Sequence, residues 1–387
     1  MQKINFVNFL KIRGGYGVSG NQTNRYASLA RVGSNTSYVF GDGGSTVYGQ
    51  QVSSLENPNL KWERTIGMNI GADFTVLNNR LTGNIDLYNN NTYDLLFNVA
   101  IPAMTGFNQI STNLGQINNK GFELSLSYKV IDRKDFKWTS TLNVWANKNK
   151  IVTLTGVDAD KNGVEDDLVS SGLFIGKPIK QIFDYKADGI YQLTDTRLPG
   201  FQIGSLRVVD QNGDGVINGS DRTFLGNQDP LYKFSFLNSV TYKSFTLSAF
   251  INSIQGGNDG FLGNNMRIYF RDDNAVRNNE LNAVDYWSPR NPNGTFPRII
   301  SGSHSTVEPN LYQSRTFIRL QDVSLSYAMP AKIISKLKAQ AVNVYVSGKN
   351  LATWTNWKGW DPETGQGLLL DGRPVLKAIT VGVHVTY

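Results

Sequence analysis

The sequence predicts an all-β fold: a portion of an antiparallel transmembrane β-barrel, with about ten long strands and long extracellular loops. Three observations predict it. The chain finishes on Ile379–Tyr387, where Ile379, Val381, Val383, Val385 and Tyr387 alternate with Thr380, Gly382, His384 and Thr386. Successive side chains of a strand point to opposite sides, so this segment has one apolar face and one polar or small face. The same alternation recurs in paired runs along the chain, and the connections between runs are short and long by turns. No run approaches the ~18 apolar residues of a membrane-spanning helix, so any bilayer crossing falls to strands. The final segment has the length of about 9 residues that a tilted transmembrane strand needs. A free apolar edge invites pairing with other chains, and a barrel removes that edge by closing.

The elements follow in order. Residues 8–20 (N-F-L-K-I-R-G-G-Y-G-V-S-G) read as one strand ending in a Gly-rich loop, and a polar stretch runs on to about Pro58. In Thr65–Val76, Ile66, Met68, Ile70, Ala72, Phe74 and Val76 share one face, and Thr65, Gly67, Asn69, Gly71, Asp73 and Thr75 the other. Asn78-Asn79 turns the chain, and a return strand from Arg80 sets Leu81, Ile85 and Leu87 against Thr82, Asn84 and Asp86. Two alternating runs around an Asn turn make a hairpin. The pattern returns with Phe122–Val130 and Phe136–Val144 about the Asp132–Asp135 turn, and with Tyr232–Tyr242 and Phe245–Ile251 about Lys243-Ser244. Arg315–Tyr327 slips phase at Gln321-Asp322, the mark of a bulge. Met329–Lys338 has room for one helical turn, and Val342, Val344 and Val346 open the penultimate strand.

Short connections therefore alternate with long ones at roughly 19–60, 98–112, 153–230, 257–314 and 353–373. Short turns at one end and long loops at the other are the layout of an outer-membrane barrel, and about ten strands bring the chain end back to the short-turn side. Alternation alone also suits a half-buried soluble sheet, but loops this long are uncommon in compact soluble domains.

Composition narrows the functions. The 17 Tyr, 20 Phe and 7 Trp fit an aromatic-belted barrel and fit a soluble β protein nearly as well. There is no Cys, which excludes disulfides, thiolate metal sites and a Cys nucleophile. The net charge of +7 is scattered with no basic run among aromatics, which argues against nucleic acid. His304 and His384 lie far apart, and each reads as a satisfied or lumen-facing side chain. The start, M-Q-K-I-N-F, has no signal-peptide pattern, as expected of a cytosolic chain, a mature protein or a fragment.

One loop carries metal chemistry. Asp210–Asp221 reads D-Q-N-G-D-G-V-I-N-G-S-D. Oxygen ligands at positions 1, 3 and 5, Gly at 6, an apolar residue at 8 and an acid at 12 are what an EF-type calcium loop needs. Asp210, Asn212 and Asp214 would offer side-chain oxygens, Val216 its carbonyl and Asp221 the closing carboxylate, with Asn218 acting through water and Ile217 as the apolar anchor. Asp in place of Glu at the last position shortens the reach. The alternative is a solvated Asp/Asn/Gly turn, and calcium here would be a structural clip. A second acidic stretch, Asp158–Asp167, departs from that register and reads as a solvated loop. No hydrolase, zinc-protease, P-loop or dinucleotide motif is present, so the chain is not expected to be an enzyme. Trp354, Trp357 and Trp360 cluster near the last long loop and are candidates for stacking on substrate sugar rings, or for packing among loops or at the membrane interface.

Several blocks together resemble the C-terminal part of the SusC/RagA family of TonB-linked outer-membrane proteins of Bacteroidetes. They are Tyr16–Gln22 (Y-G-V-S-G-N-Q), Asn57–Glu63 (N-P-N-L-K-W-E), Asn118–Leu126 (N-N-K-G-F-E-L-S-L), Gly176–Gln192, the Asp210–Asp221 loop with Leu225-Gly226-Asn227, Phe317–Tyr327 (F-I-R-L-Q-D-V-S-L-S-Y) and Val344–Leu351 (V-Y-V-S-G-K-N-L). Thr380, Gly382, Val385 and Tyr387 match the positions of the outer-membrane assembly signal. The resemblance implies an importer in the cell outer membrane, capped by a SusD-like lipoprotein, energised through TonB and taking up an oligosaccharide or peptide. Against that family the chain lacks the plug, the TonB-contacting segment and about half of the roughly 22 strands, so a truncated gene or fragment with open edges is expected. The other reading is a calcium-stabilised, non-catalytic surface-binding or scaffold β-protein.

Overall fold

The computed structural model describes residues 6–22, 26, 28–39, 44, 46–101, 103–260, 285–298, 307, 309–336, 338–365 and 374–387. His304 and most of the predicted loop 257–314 lie outside the described residues, as do residues 366–373 of the last loop.

The elements in chain order are β1 (Val7–Asn21), β2 (Arg31–Val39), β3 (Thr46–Ser54), β4 (Glu63–Val76), β5 (Leu81–Tyr93), β6 (Leu96–Ala100), β7 (Gln109–Asn113), β8 (Gln116–Asp132) and β9 (Phe136–Thr153). There follow β10 (Gln181–Tyr185), β11 (Ala187–Ile190), β12 (Leu206–Val208), β13 (Arg222–Asn227), β14 (Tyr232–Tyr242), β15 (Phe245–Gln255), β16 (Asn258–Gly260), β17 (Tyr312–Ser314), β18 (Phe317–Ala328), the one-turn helix α1 (Ala331–Lys336), β19 (Ala341–Thr355) and β20 (Ala378–Thr386). Ten long strands form one antiparallel sheet in the order β1-β4-β5-β8-β9-β14-β15-β18-β19-β20. The sheet is a meander, and β1 and β20 are its two edges.

Register sorts the side chains into rows. Leu10, Phe74, Gly83, Leu126, Leu142, Phe236, Ile251, Leu320 and Ala352 stand side by side across nine strands. The neighbouring row is Lys11, Asp73, Asn84, Ser125, Asn143, Ser235, Asn252, Arg319 and Thr353. One face of the sheet is thus apolar and the other polar from edge to edge. Among the described residues the apolar face meets no second layer: Ile70 is 61% exposed, Leu87 54% and Val381 74%. The well-buried apolar residues are mostly in the loops, among them Tyr191, Phe201, Val208 and Trp287. This inversion of the usual arrangement is what a barrel wall bathed in lipid requires.

Aromatics bound the apolar band. On β14 the outward face begins at Tyr232 and ends at Tyr242. Ten residues at about 3.4 Å each, tilted by about 40°, span roughly 26 Å of depth, the height of a transmembrane apolar band. At the short-turn end Tyr242 lies beside Phe136, and Phe245 packs on Tyr327 with ring centroids 4.6 Å apart. Polar side chains on this face are paired: Ser140 Oγ and Trp138 Nε1 both donate to Asn238 Oδ1. The predicted bulge is present, with the register of β18 shifting between Leu320 and Asp322 against both neighbours. It keeps Leu320 and Val323 on the lipid side despite their odd spacing.

Short connections lie at one end and long ones at the other, as predicted. The Leu77 amide donates to Phe6 O and the Gln340 amide to Thr386 O, so both ends of the described chain sit beside the short turns. One expectation needs correction. The glycines of residues 8–20 do not end the first strand. Gly14, Gly15 and Gly17 pair in register with Ile70, Asn69 and Gly67, because backbone bonds to β4 hold them although they bring no side chains. The long loops carry structure of their own: β2–β3 and β6–β7 are hairpins, and β10–β13 and β11–β12 are small sheets within 153–230.

Candidate functional site

The polar face of β1, β4, β5, β8 and β9 curves around a cleft of about 1060 Å³. Asn69, Asn90, Asn119 and Asn147 line it together with Asp86, Glu123, Tyr88 and Trp145. Each of these positions is polar or aromatic because it alternates with a lipid-facing residue. Tyr88 lies across Gly121, which has no Cβ to obstruct it, and donates to Asn147 Oδ1 at 3.0 Å. Below, Arg13 on β1 bridges Asp73 at 2.9 Å and Asp86 at 2.8 Å, tying three strands together through one guanidinium. Amides, hydroxyls and two aromatic rings can hydrogen-bond and stack with sugar hydroxyls or peptide groups.

A second polar cluster fastens the last loop to the wall. Arg319 on β18 is buried, with its two terminal nitrogens 2.7 Å from Asp361 Oδ1 and 2.7 Å from Glu363 Oε2, and its Nε donates to Thr353 Oγ1. Arg315 donates to the carbonyls of Pro362 and Glu363, and Asn252 donates to Glu363 Oε1. Burial pushes the Asp361 carboxyl up, but Arg319 and the Glu363 amide outweigh it and hold the group below the usual carboxylate range. Sequence reading missed this clamp; its only signal was an arginine on a polar strand face followed by D-P-E.

The three tryptophans differ in exposure. Trp357 is buried at 5% exposure, while Trp354 is 59% exposed on the apolar face opposite Ile318, at the long-loop end of β19. Trp360 is 40% exposed. The terminal positions Thr380 and Gly382 pair with Ser347 and Tyr345 on the polar face, and Val385 pairs with Val342. The ring of Tyr345 covers Gly382, and Tyr387 is exposed at the chain end.

The loop 210–221 folds as a run of side-chain-capped turns. Gly213 and Gly215 adopt φ of 74° and 80°, and their amides donate to the two oxygens of Asp210. Those amides, that of Gly215 foremost, hold the Asp210 carboxyl below its ordinary range. The Asp214 amide donates to Asn212, and the Val216 amide to Asp214. Ile217 is anchored in the cluster of Tyr191, Phe201 and Val208, as expected. Asp221 is fully buried, and its two oxygens accept from the amides of Gln211 and Asn218.

The stretch Asp158–Asp167, expected to be a plain solvated loop, has the same construction. Gly163 donates to Asp158, Asn162 to Asp160 and Val164 to Asn162, with Lys161 and Gly163 at φ of 57° and 84°. Asp158, Asp160 and Asp166 each bring one oxygen within 4.8 Å of the others. Glu165 turns away to the Leu154 and Gly156 amides. Its register was overlooked because the closing acid comes three residues early.

Comparison with known proteins agrees with this architecture. The model of the "TonB dependent receptor-like, beta-barrel" family matches residues 5–351. TonB-dependent receptor P26 of Formosa agariphila is 32% identical over an alignment covering 98% of this chain and 40% of that protein. TonB-dependent receptor SusC of Bacteroides thetaiotaomicron is 30% identical, with 98% of this chain and 37% of that protein covered. The solved RagAB peptide transporter superposes with a TM-score of 0.75 at 24% identity, over 99% of this chain and 41% of that chain. The chain thus spans about two-fifths of the length of the relatives it matches. Its lipid-facing apolar rows, polar inner wall and matched family place it plainly: the chain belongs to the TonB-dependent receptor β-barrel family and is an outer-membrane protein.

Proposed function

We propose that this chain supplies barrel wall and extracellular loops to a SusC-type nutrient importer. In that reading a SusD-like lipoprotein caps the long-loop end, TonB supplies the energy through segments that a full receptor carries, and the cargo is an oligosaccharide or peptide. The observation that carries it is the pair of adjacent rows across nine strands, one apolar and one polar, which makes a wall between lipid and a watery interior. The amide-rich cleft with Tyr88 and Trp145 supports a neutral, hydrogen-bonding cargo. The RagAB relative, a peptide transporter by name, supports the peptide arm. Deleting the gene should abolish growth on, or uptake of, one labelled oligosaccharide or peptide class; unchanged uptake across both classes would refute the reading.

Calcium belongs to the same proposal. The turns of 210–221 gather the side chains of Asp210, Asn212 and Asp214 and leave the Val216 carbonyl to complete an oxygen-rich set, the donors a hard cation takes. Asp221 would close the site with the lone pairs its backbone bonds leave free. Calcium would supply a structural clip, holding the loop on its Ile217 anchor. The terminal Thr380, Gly382, Val385 and Tyr387 are proposed as the signal read by the barrel-assembly machinery.

A further inference from the structure

The outward face carries a feature that neither transport nor the calcium loop uses. At the long-loop end of the apolar band, Leu87, Phe122 and Ala146 form one row on β5, β8 and β9. The next row toward the loops is Asn89, Lys120 and Lys148. Lys120 and Lys148 stand directly opposite each other across the β8–β9 ladder. Both are exposed, as is Lys150 two residues on. Like charges directly opposed in a sheet are destabilising, and among the described residues none of the three lysines has an ion-pair partner. Over these rows lies a groove of about 750 Å³, bounded on its far side by Asp229, Pro230 and Leu231. Its floor is apolar, its loop-side rim carries Lys120 and Lys148, and the Asp229 carboxylate on the far side is already paired with Lys180 at 3.5 Å.

We propose that this groove binds a phosphorylated lipid of the outer leaflet, its acyl chain along Leu87, Phe122 and Leu231 and its phosphate between Lys120 and Lys148. Depth supports that occupant. Lys148, paired with Lys120, lies ten residues from the outward Trp138 on β9. At about 3.4 Å per residue and a tilt of about 40°, that is roughly 26 Å of membrane depth above the short-turn girdle, the top of the apolar band. The lysines therefore sit near the level of outer-leaflet headgroups, with the groove floor continuous with the lipid-facing band. A lipid phosphate relieves the Lys120–Lys148 repulsion by placing an anion between the two ammonium groups. The inference rests on the outward orientation of the sheet and holds whether or not the protein transports anything.

The test is titration of the detergent-purified protein with diphosphoryl lipid A, dephosphorylated lipid A or inorganic phosphate, bound species being counted by native mass spectrometry. Diphosphoryl lipid A should bind at a stoichiometric site. Lys120→Gln and Lys148→Gln should each weaken it about fivefold, while Lys120→Arg and Lys148→Arg retain it and Ser125→Ala on the opposite face leaves it unchanged. Heat-modified gel mobility reports folding for every variant. Equal binding of dephosphorylated lipid A, or of phosphate alone, overturns the proposal. So does a lipid-independent dimer whose crosslinks run through Lys120 and Lys148.

Discussion

Replacing Leu142 with Arg puts a charge into the apolar band, and the structure fixes how deep. On β9 the outward positions run from Trp138 through Ser140, Leu142, Val144 and Ala146 to Lys148. Leu142 is four residues above Trp138, which at about 3.4 Å per residue and a tilt of about 40° is roughly 10 Å above the aromatic girdle. That is close to the middle of the band, where an outward Arg costs about 2–4 kcal/mol. Asn143, one residue on, faces the interior and donates to Ser235 Oγ. Asn143→Arg gives up that bond and keeps its charge in water, for about 1 kcal/mol or less. Leu142→Ala should lose the transfer free energy alone, because acyl chains fill the space that would be a cavity inside a globule. Urea unfolding of the protein in lipid vesicles, read by tryptophan fluorescence, gives all three values. A cost for Asn143→Arg equal to that of Leu142→Arg would refute the assignment of faces. A Leu142→Ala cost well above the ~2.4 kcal/mol of transfer alone, toward about 5 kcal/mol, would point to a packed protein core instead.

Arg319→Gln should strand the buried Asp361 and cost about 3–5 kcal/mol, with hydrogen exchange of residues 356–365 rising. Because the Asp361 carboxyl is held below its ordinary range, the clamp is at full strength at neutral pH and is lost only as pH falls through that lowered value; exchange that rises already between pH 7 and 5 would contradict the sign. Chelation of calcium should raise exchange across 210–221, and Asp214→Ala should make the loop insensitive to added calcium; calorimetry without heat on calcium addition would remove the clip. A Cβ on Gly382 would fall 2.5 Å from the Tyr345 ring, so Gly382→Val should cost about 1–3 kcal/mol, and Tyr345→Ala should recover much of it.

The sheet was legible because a two-residue period survives wherever one face meets lipid and the other water. Val381 or Phe236 could not be exchanged with a neighbour without placing a polar group in hydrocarbon. Even the β18 bulge announced itself as a slipped period at Gln321-Asp322. The loops gave no such signal. Strands of three to six residues such as β12 and β13 are too short to show a period, and their pairing is set by contacts distant in sequence. Phe174, Phe183 and Phe224 meet with centroids 4.7 to 5.1 Å apart although they come from separate loop segments. The Arg319 clamp was hidden for a related reason. A charged residue on the polar face reads as solvated until the loop carrying Asp361 and Glu363, more than forty residues later, is seen to fold back over it. The turns of 210–221 were legible as an Asp/Asn/Gly pattern, but the burial of Asp221 was not, since it depends on how the loop seats on the Tyr191 cluster.

The absence of cysteine makes the central claim directly measurable. Single cysteines at Leu142, Asn143, Val144 and Trp145 can be spin-labelled in the vesicle-reconstituted protein and probed with oxygen and with a water-soluble nickel chelate. The account predicts strict alternation, oxygen reaching residues 142 and 144 and the chelate reaching 143 and 145. Labels at 142 and 144 that are shielded from both reagents, or an inverted alternation, would contradict it.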